Sequence, residues 1–221
     1  MNALAERLES GEGDIFSRIA QAIEKRGYAV VDAALPTGLV DALFVHLSTL
    51  PVDAFTRAGI GREAAYQLNR FVRSDTIQWL DPGEPACGTF LDWMEQLRLG
   101  INRRLFIGLF DYEAHFARYA PGSFYRKHVD AFAGCSNNRV LSTVFYLNPA
   151  WTPGNGGEMV LYGPGEDGAV IETVQPVYGR LAVFLSERFP HEVLPTQATR
   201  FSIAGWFRVN GSVNGVLDPP R

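Results

Sequence analysis

A change of hydrophobic pattern near residue 111 constrains the fold more than any other feature of the sequence. Ahead of it apolar residues recur at helical spacing, whereas beyond it short alternating or β-branched runs are separated by Gly, Pro and Asn clusters. Such runs are typical of a β-sandwich or a double-sheet jelly roll, here with the preceding helices packed on one outer face. We expect eight strands, at residues 112–119, 124–130, 140–147, 157–162, 169–174, 180–186, 191–194 and 199–209.

Three helices and one short strand are predicted ahead of that change. The first helix is expected to be capped by Asp14 and to end at Gly27, and a strand follows at residues 28–31. Thr37 is expected to cap the second helix. The apolar faces of the three helices carry Ile15, Ile19 and Ile23, then Leu39, Leu43 and Leu47, and finally Phe90, Met94, Leu97, Ile101 and Leu105.

Residues 51–69 show no clear hydrophobic period and contain Pro51, Gly59 and Gly61. This stretch predicts a long exposed loop, and loops of such length in a compact domain are often functional. Residues 70–81 then return to strand character. The pattern therefore indicates a candidate lid between the second helix and the strands.

Composition favours one domain and argues against several classes of function. With 221 residues, 47% of them apolar, the chain can bury one sizeable core. We expect a single catalytic domain over residues 1–221, with helical support and the lid loop in 1–110 and the jelly-roll core in 111–210. The 24 acidic residues outnumber the 20 basic ones, so no overall basic field would hold nucleic acid.

No apolar run approaches the roughly 20 residues that cross a bilayer, and the N-terminus is too acidic for a signal peptide. We therefore expect a cytoplasmic protein without a membrane partner, and we favour a monomer. Cys87 and Cys135 have no CxxC spacing, so they are expected to be free thiols.

A histidine and an aspartate that flank one residue, His128 and Asp130, form the first half of a candidate metal site. On a predicted strand their side chains would leave the same face, roughly 7 Å apart at about 3.3 Å per residue. The triplet is weak evidence by itself, because such spacings arise by chance. A third ligand is needed to make a metal site.

His191 and Arg200 flank a predicted turn at Pro195 and Thr196. If the segment is a hairpin centred between those two turn residues, His191 and Arg200 face each other with Cβ atoms roughly 5 Å apart. Two histidines and one carboxylate form the facial triad of non-haem iron(II) oxygenases, which leaves coordination positions open. A guanidinium nearby could bind the far carboxylate of a dicarboxylic acid.

The predicted strand that begins at Arg200 has two different faces. One carries Arg200, Ser202, Ala204 and Trp206, and the other carries Phe201, Ile203 and Phe207. Small residues between an anchoring charge and an aromatic wall suit a cavity for a small bound acid. The structural alternative pairs Arg200 with Asp130 beside two core histidines, an arrangement that would be costlier to bury.

Several ordered segments between about Arg73 and Val209 resemble the 2-oxoglutarate-dependent prolyl hydroxylases. They are RSDTIQW, RYAPGSFYRKHVD, RVLSTVFYLN, GGEMVLY, and RLAVFLSERFPHEV followed by ATRFSIAGWF. The likeness is greatest to the enzymes of the hypoxia-inducible-factor type and their bacterial relatives. It implies a mainly β chain with N-terminal helices and a double-stranded β-helix, which is the jelly roll suspected from the strand pattern.

The same resemblance implies ligands, cofactors and a reaction. His128, Asp130 and His191 would bind Fe(II), and Arg200 would bind the distal carboxylate of 2-oxoglutarate with help from the Tyr146 hydroxyl. Dioxygen would be the second co-substrate, and ascorbate is a further candidate cofactor. The implied reaction is hydroxylation of a prolyl residue in a protein substrate, at C4, and the bacterial branch of the family points to a translation elongation factor.

Further positions match the family at the co-substrate pocket and on the substrate side. They are Tyr119 and Trp206 for the pocket, and Arg73, Tyr125 and Arg139 for the substrate side. His46 and His115 have no partner at a metal-ligand spacing, so we expect both to be structural.

The chain departs from the animal enzymes in the loop at 51–69 and at Ala204, where those enzymes carry a threonine. Peptide preference and oxygen response therefore stay open. Two other functions would use the same residues: hydroxylation of free proline or another small metabolite, and binding of a proline-containing partner without turnover. The long loop argues mildly against the first, and the intact triad with Arg200 argues against the second.

Overall fold

The computed structural model describes residues 12–57, 72–131, 138–165 and 168–210, together with the backbone of two short strands at 212–213 and 216–217. Side chains are described from residue 15 to residue 210 within these ranges. The helices are α1 (Glu12–Arg26), α2 (Thr37–Thr49) and α3 (Pro85–Leu105), with short 3-10 helices at Val52–Ala54 and Pro153–Asn155. No helix of the described chain is long and apolar enough to cross a membrane.

All eight strands expected beyond residue 111 are confirmed, with ends shifted by a few residues. The strands of the described chain are β1 (Tyr28–Val31), β2 (Thr56–Arg57), β3 (Thr76–Trp79), β4 (Leu109–Tyr119), β5 (Tyr125–His128), β6 (Arg139–Tyr146), β7 (Met159–Tyr162), β8 (Val170–Val174), β9 (Leu181–Leu185), β10 (His191–Val193), β11 (Arg200–Val209), β12 (Ser212–Val213) and β13 (Val216–Leu217).

Two antiparallel sheets form the body of the molecule. The larger has the strand order β1-β9-β6-β11-β4-β3-β2, and the smaller has the order β5-β10-β7-β8. Tyr146 and Phe184 from the larger sheet share an apolar cluster with Met159 and Leu161 from the smaller one. The two sheets therefore pack face to face, which confirms the jelly roll, and the interior between their facing side chains is named the cavity.

The other face of the larger sheet carries the helices, as expected. Phe90 of α3 packs on Phe145 of β6 with ring centroids 5.9 Å apart, and both belong to the main core. Ile203 and Phe207 of β11 are fully buried in that same core, whereas Arg200 on the alternate face points toward the smaller sheet. Alternation along β11 thus separates the structural core from the cavity.

Both predicted helix caps are wrong. Helix α1 already includes Glu12, so Asp14 lies inside the helix and cannot cap it. Helix α2 begins at Thr37 itself, and the capping position is Pro36, whose carbonyl accepts hydrogen bonds from two amides of the first turn. The end of α1 is confirmed, since Gly27 has a φ of 85° and its amide donates to the Ile23 carbonyl.

The predicted loop at 51–69 is only partly described. Residues 51–57 contain a 3-10 turn and the short strand β2, which pairs with β3. An irregular loop was expected here, so the prediction is wrong for this part. Residues 58–69 lie outside the described residues, as do Cys135 and residues 70–71 of the predicted strand. Cys87 is a buried free thiol in α3, as expected.

Candidate functional site

Neighbouring strands β5 and β10 of the smaller sheet, with the bend after β5, bring together the three side chains that the sequence singled out as metal ligands. His128, Asp130 and His191 each offer one ligand atom, and these atoms all lie within 4.8 Å of one another. The Nε2 atoms of His128 and His191 lie 3.6 Å from Oδ1 and Oδ2 of Asp130, respectively. Two imidazoles and a carboxylate at these separations can hold one divalent cation from one side.

Backbone carbonyls orient both histidine rings. The Nδ1 atom of His128 lies 2.8 Å from the carbonyl oxygen of Arg126, and that of His191 lies 3.1 Å from the carbonyl oxygen of Phe189. Each Nδ1 can therefore carry the ring proton and donate it, which leaves the lone pair on Nε2. Both lone pairs are then available on the side of Asp130, as a metal site requires.

The route by which these residues meet differs from the predicted one. His128 ends β5, and Asp130 lies two residues beyond that strand. The prediction that both side chains lie on one strand is therefore wrong. A bend in the chain brings the carboxylate back toward the imidazole. His191 opens β10 and is the direct cross-strand partner of His128, which places the two rings 4.2 Å apart.

The predicted hairpin between His191 and Arg200 is wrong. Strand β10 pairs with β5 and β7 in the smaller sheet, whereas β11 pairs with β4 and β6 in the larger one. The segment after β10 crosses between the sheets, because its amides bond to the 3-10 turn and to the loop before β5 instead of to β11. His191 and Arg200 thus reach the same cavity from opposite walls.

Arg200 is a buried cation with no buried anion beside it. Only 1% of the residue is exposed, and its Nε donates to the Gly157 carbonyl over 2.9 Å while one terminal nitrogen donates to the Ser202 hydroxyl over 3.2 Å. Among the described residues no carboxylate lies within 4.0 Å of its guanidinium. The alternative ion pair with Asp130 is therefore not formed.

Two glycines ahead of β7 allow close backbone contacts beside Arg200. Gly157 has a φ of 70°, and a Cβ there would lie 3.1 Å from Cδ of Arg200. At Gly156 a Cβ would lie 2.4 Å from the Pro195 carbonyl oxygen, a distance that no side chain can adopt. Gly157 thus allows the backbone to approach Arg200 and to accept its hydrogen bond, whereas Gly156 allows the close contact with the Pro195 carbonyl.

Two tyrosines complete the surroundings of Arg200. Its guanidinium lies 4.7 Å from the ring centre of Tyr119, its cross-strand partner, and 5.1 Å from that of Tyr146. The Tyr146 hydroxyl is buried beside that guanidinium, and its proton has no acceptor in the described part of the chain. A buried cation and a buried hydroxyl proton without an acceptor both carry a cost that an anionic ligand would remove, so this pocket fits one carboxylate of a small acid.

Tyr125 and Arg73, which the resemblance assigned to the substrate side, lie beside His128. The Tyr125 ring stacks on His128 with centroids 3.6 Å apart, and the Arg73 guanidinium covers the other side of Tyr125 at 4.3 Å. Asp75 accepts two hydrogen bonds from Arg73, of 2.8 and 2.6 Å. Tyr125 is therefore fixed between a candidate metal ligand and an ion pair.

Trp206 lies six residues along β11 from Arg200 and contacts neither Arg200 nor its tyrosines in the described contacts. Its ring is covered by the Arg139 guanidinium at 3.6 Å, and Arg139 also bonds to Glu113. The buried indole N–H of Trp206 has no partner among the described residues. Trp206 thus joins the group around Arg139, away from the carboxylate pocket.

His115 and Ser142 face the cavity although sequence reasoning gave neither a role there. His115 is the cross-strand partner of Ala204 and contacts Trp206 at 5.5 Å. Ser142 donates a 2.6 Å hydrogen bond to Asp130. Alternation along β6 could have found Ser142, since it lies four residues before Tyr146 on the same face. His46 packs near Phe116 on the helix side and takes no part in the site.

Burial and neighbouring charges shift the ionisation of the site. Burial, reinforced by His128, lowers the pKa of His191 to about 4, so that imidazole is neutral at pH 7 and ready to bind a cation. Burial alone would raise the pKa of Asp130, but the two histidines and the Ser142 hydrogen bond outweigh it and hold the pKa below its usual range. Burial raises the pKa of Tyr146, so its hydroxyl keeps its proton and can donate it.

The free energy of unfolding of the metal-free protein should fall as the pH drops from about 6.5 to 4. Burial lowers the pKa of His115 to about 4, below the value of about 6.5 in the unfolded chain, so the unfolded state gains the proton first. One such histidine removes about 2 kcal/mol of stability by pH 5. We expect His115→Gln to reduce the loss of unfolding free energy between pH 7 and pH 5 by about this amount. Urea unfolding in the presence of EDTA measures it. An unchanged pH dependence in the variant would contradict the prediction.

The chain is similar to known oxygenases over most of its length. The family model for the 2OG-Fe(II) oxygenase superfamily matches residues 114–208. The chain is 28% identical over 198 residues to human prolyl hydroxylase EGLN3, which covers 86% of this chain and 81% of the relative. A solved Pseudomonas putida prolyl-4-hydroxylase is 40% identical, with 89% of this chain and all of that one covered and a TM-score of 0.79.

A second solved structure extends the likeness of the fold. It is a Trichoplax adhaerens prolyl hydroxylase in complex with a peptide of the oxygen degradation domain of hypoxia-inducible factor, 23% identical, with 94% of both chains covered and a TM-score of 0.76. The matched region contains the whole triad and Arg200, and the jelly roll is common to these proteins. The chain therefore belongs to the 2OG-Fe(II) oxygenase superfamily and is an Fe(II)- and 2-oxoglutarate-dependent dioxygenase of the prolyl hydroxylase type.

Proposed function

We propose that this enzyme hydroxylates a prolyl residue, at C4, in a protein substrate, for which a translation elongation factor is the first candidate. One observation carries the co-substrate half of the proposal. The buried Arg200 guanidinium has no carboxylate partner among the described residues, and its sheet faces the one that carries the His-Asp-His cluster. A dicarboxylic acid that binds the cation at one end and a metal at the other satisfies both.

In this proposal His128, Asp130 and His191 hold the metal. When bound, Fe(II) supplies the redox chemistry that couples oxidative decarboxylation of 2-oxoglutarate to the insertion of one oxygen atom from O2 into the substrate. Arg200 binds the distal carboxylate through its terminal nitrogens, and the protonated Tyr146 hydroxyl donates a further hydrogen bond. The Tyr119 ring closes this end of the pocket and excludes water from the charged pair.

The substrate would enter from the side of Tyr125 and Trp206. Both rings are held rigidly by guanidinium groups, of Arg73 and Arg139 respectively, and each of these arginines is fixed by a carboxylate. Flat, preoriented aromatic faces suit the packing of a pyrrolidine ring, and paired arginines can bond to a peptide backbone beside it. These residues therefore support a peptide as the substrate.

We also propose that residues 1–221 act as one catalytic domain. Strands β1, β2 and β3 come from the first 110 residues, yet they extend the same sheet that carries β4, β6 and β11. The helices of that first part bury one face of this sheet. The N-terminal part is thus a structural half of the site-bearing unit, which supports a single folding unit.

The deciding experiment is peptide-stimulated turnover. We expect purified, iron-loaded enzyme to form succinate slowly from 2-oxoglutarate alone and much faster with a purified elongation factor or a bacterial cytosolic extract. Mass spectrometry should then find one added oxygen atom on a proline, and comparison with authentic 4-hydroxyproline should give its position. The Asp130→Ala variant serves as the blank.

Other outcomes identify the competing functions. Stimulation by free proline, with no modified peptide in the extract, would mean that the enzyme acts on a small molecule. Capture of a proline-containing protein without succinate or added oxygen would mean a binding protein. Either result would contradict the proposed substrate.

A further inference from the structure

A relay of two buried hydroxyl groups ends on the candidate metal-binding carboxylate. The Ser142 hydroxyl donates to Oδ2 of Asp130 over 2.6 Å, and it lies 2.9 Å from the Ser186 hydroxyl. Ser142 is 2% exposed and Ser186 is fully buried. Burying two hydroxyl groups is costly unless both are bonded, so the relay has a definite geometry.

The direction of the relay follows from the number of protons. The Ser142 hydroxyl is the donor to Oδ2 of Asp130, and a carboxylate that binds a metal only accepts hydrogen bonds. The single proton of Ser142 must therefore point at Asp130. The hydrogen bond between the two serines is then donated by Ser186, and the order is Ser186 to Ser142 to Asp130. Hydrogen bonds in such a chain polarise and strengthen one another.

The larger sheet holds both serines in place. Ser142 belongs to β6, and the amide of Ser186, just beyond β9, donates to the Val140 carbonyl over 3.0 Å. Asp130, by contrast, lies beyond the end of β5 and belongs to no strand. The carboxylate is thus oriented by a hydrogen bond from the opposite sheet and not by a strand of its own.

We propose that Ser142, held by Ser186, is a positioning residue that fixes the Asp130 carboxylate so that it binds the metal through one oxygen only. The hydrogen bond occupies Oδ2 and keeps the carboxylate from rotating to bind through both oxygens. A one-oxygen ligand preserves the three open positions that a facial triad must offer. This inference rests on the metal ligands of the proposed function.

Cobalt binding to the purified full chain tests the role without turnover. Co(II) alone serves as an oxygen-inert probe, and its visible spectrum depends on coordination number and geometry. We expect Ser142→Ala to weaken Co(II) binding by about tenfold to a hundredfold and to change the spectrum. Ser142→Thr keeps the hydroxyl and should restore both readouts. Ser186→Ala, which leaves Ser142 in place, should weaken binding by about threefold.

The matched control is Thr143→Val. Thr143 adjoins Ser142 on β6 and is equally buried, but its hydroxyl faces the helices and bonds to Tyr112 over 2.8 Å. Loss of this hydroxyl should lower the melting temperature while Co(II) affinity and spectrum stay as in the wild type.

The proposal is overturned if either readout of Ser142→Ala matches the wild type, if Ser142→Thr restores neither, or if Thr143→Val changes them equally. If Ser142→Ala does not fold, Ser186→Ala decides by the same two readouts. Asp130→Ala separates this inference from the proposed function. Full Co(II) binding by Asp130→Ala contradicts the metal site itself. If Asp130→Ala loses Co(II) binding but Ser142→Ala keeps it, only the relay is contradicted.

Discussion

Asp130→Ala should abolish metal binding and succinate formation together. Asp130 is the only carboxylate in the His-Asp-His cluster, and its removal leaves two neutral imidazoles to hold a divalent cation. Loss of groups that merely orient a ligand already costs about tenfold to a hundredfold in affinity. Loss of the ligand itself should therefore weaken Co(II) or Fe(II) binding by more than about a hundredfold. Isothermal titration with Co(II) and a succinate assay with excess Fe(II) measure the two effects.

A matched control separates this effect from general damage. Asp111 of β4 is a partly buried carboxylate that accepts a 2.9 Å hydrogen bond from Arg208. Arg208 lies near the end of β11 that is far from Arg200 and from the metal cluster. Asp111→Asn should lower the melting temperature but keep Co(II) affinity. If Asp130→Ala binds Co(II) as tightly as this control, the assignment of Asp130 as a ligand is wrong.

The strands could be predicted because their signal is local. Within β11, alternate residues face the cavity and the helix core, and that period is visible in ten consecutive residues. The same period correctly placed Arg200 and Ser202 on one face and Ile203 and Phe207 on the other. The two faces of a strand can be read from its sequence, because successive side chains point to opposite sides.

The partners of a strand could not be predicted in the same way. The hairpin joining His191 to Arg200 was inferred from a short turn-like segment, but that segment crosses between sheets. His191 and Arg200 do share a cavity, although they reach it from facing walls. The register of a strand and the sheet to which it belongs depend on strands that are distant in the sequence, such as β4 and β5. A local pattern carries no information about them.

The site residue that sequence reasoning missed, Ser142, was missed for a physical reason. Ser142 is a common residue whose role depends on what lies opposite it, here Asp130, and it has no motif of its own. His115 packs on Trp206 and stays a structural residue, as expected. Tyr146, which was named from the resemblance, marks the same face of β6 as Ser142, so alternation from a known site residue would have found it.

Arg200→Met should leave the metal-free protein as stable as the wild type or more stable, while it removes the response to 2-oxoglutarate. A buried cation without a carboxylate partner costs desolvation energy, and an apolar side chain of similar length avoids that cost. In the wild type with Co(II), 2-oxoglutarate at a hundredfold excess over its dissociation constant should raise the free energy of unfolding by about 2.7 kcal/mol. For a chain of this size that raises the melting temperature by roughly 5 to 11 °C.

Arg208 is the matched control because it is equally buried but already paired. Its exposure is also 1%, and it bonds to Asp111 through two nitrogens. Arg208→Met leaves that carboxylate without its partner and should lower stability by about 3 to 5 kcal/mol, while the shift caused by 2-oxoglutarate persists. The two arginines should therefore respond oppositely to one substitution, and thermal unfolding of both variants with and without 2-oxoglutarate measures this.

Arg200→Lys refines the result, since lysine keeps the charge but loses the planar fork. Loss of one charge-assisted hydrogen bond, about 1.5 to 3 kcal/mol, should weaken 2-oxoglutarate by roughly tenfold to a hundredfold with Co(II) affinity intact. If Arg200→Met unfolds as readily as Arg208→Met and still responds to 2-oxoglutarate, Arg200 is a structural residue. The co-substrate carboxylate must then bind elsewhere in the cavity, and the Tyr146 hydroxyl proton, which lacks an acceptor among the described residues, would need another explanation.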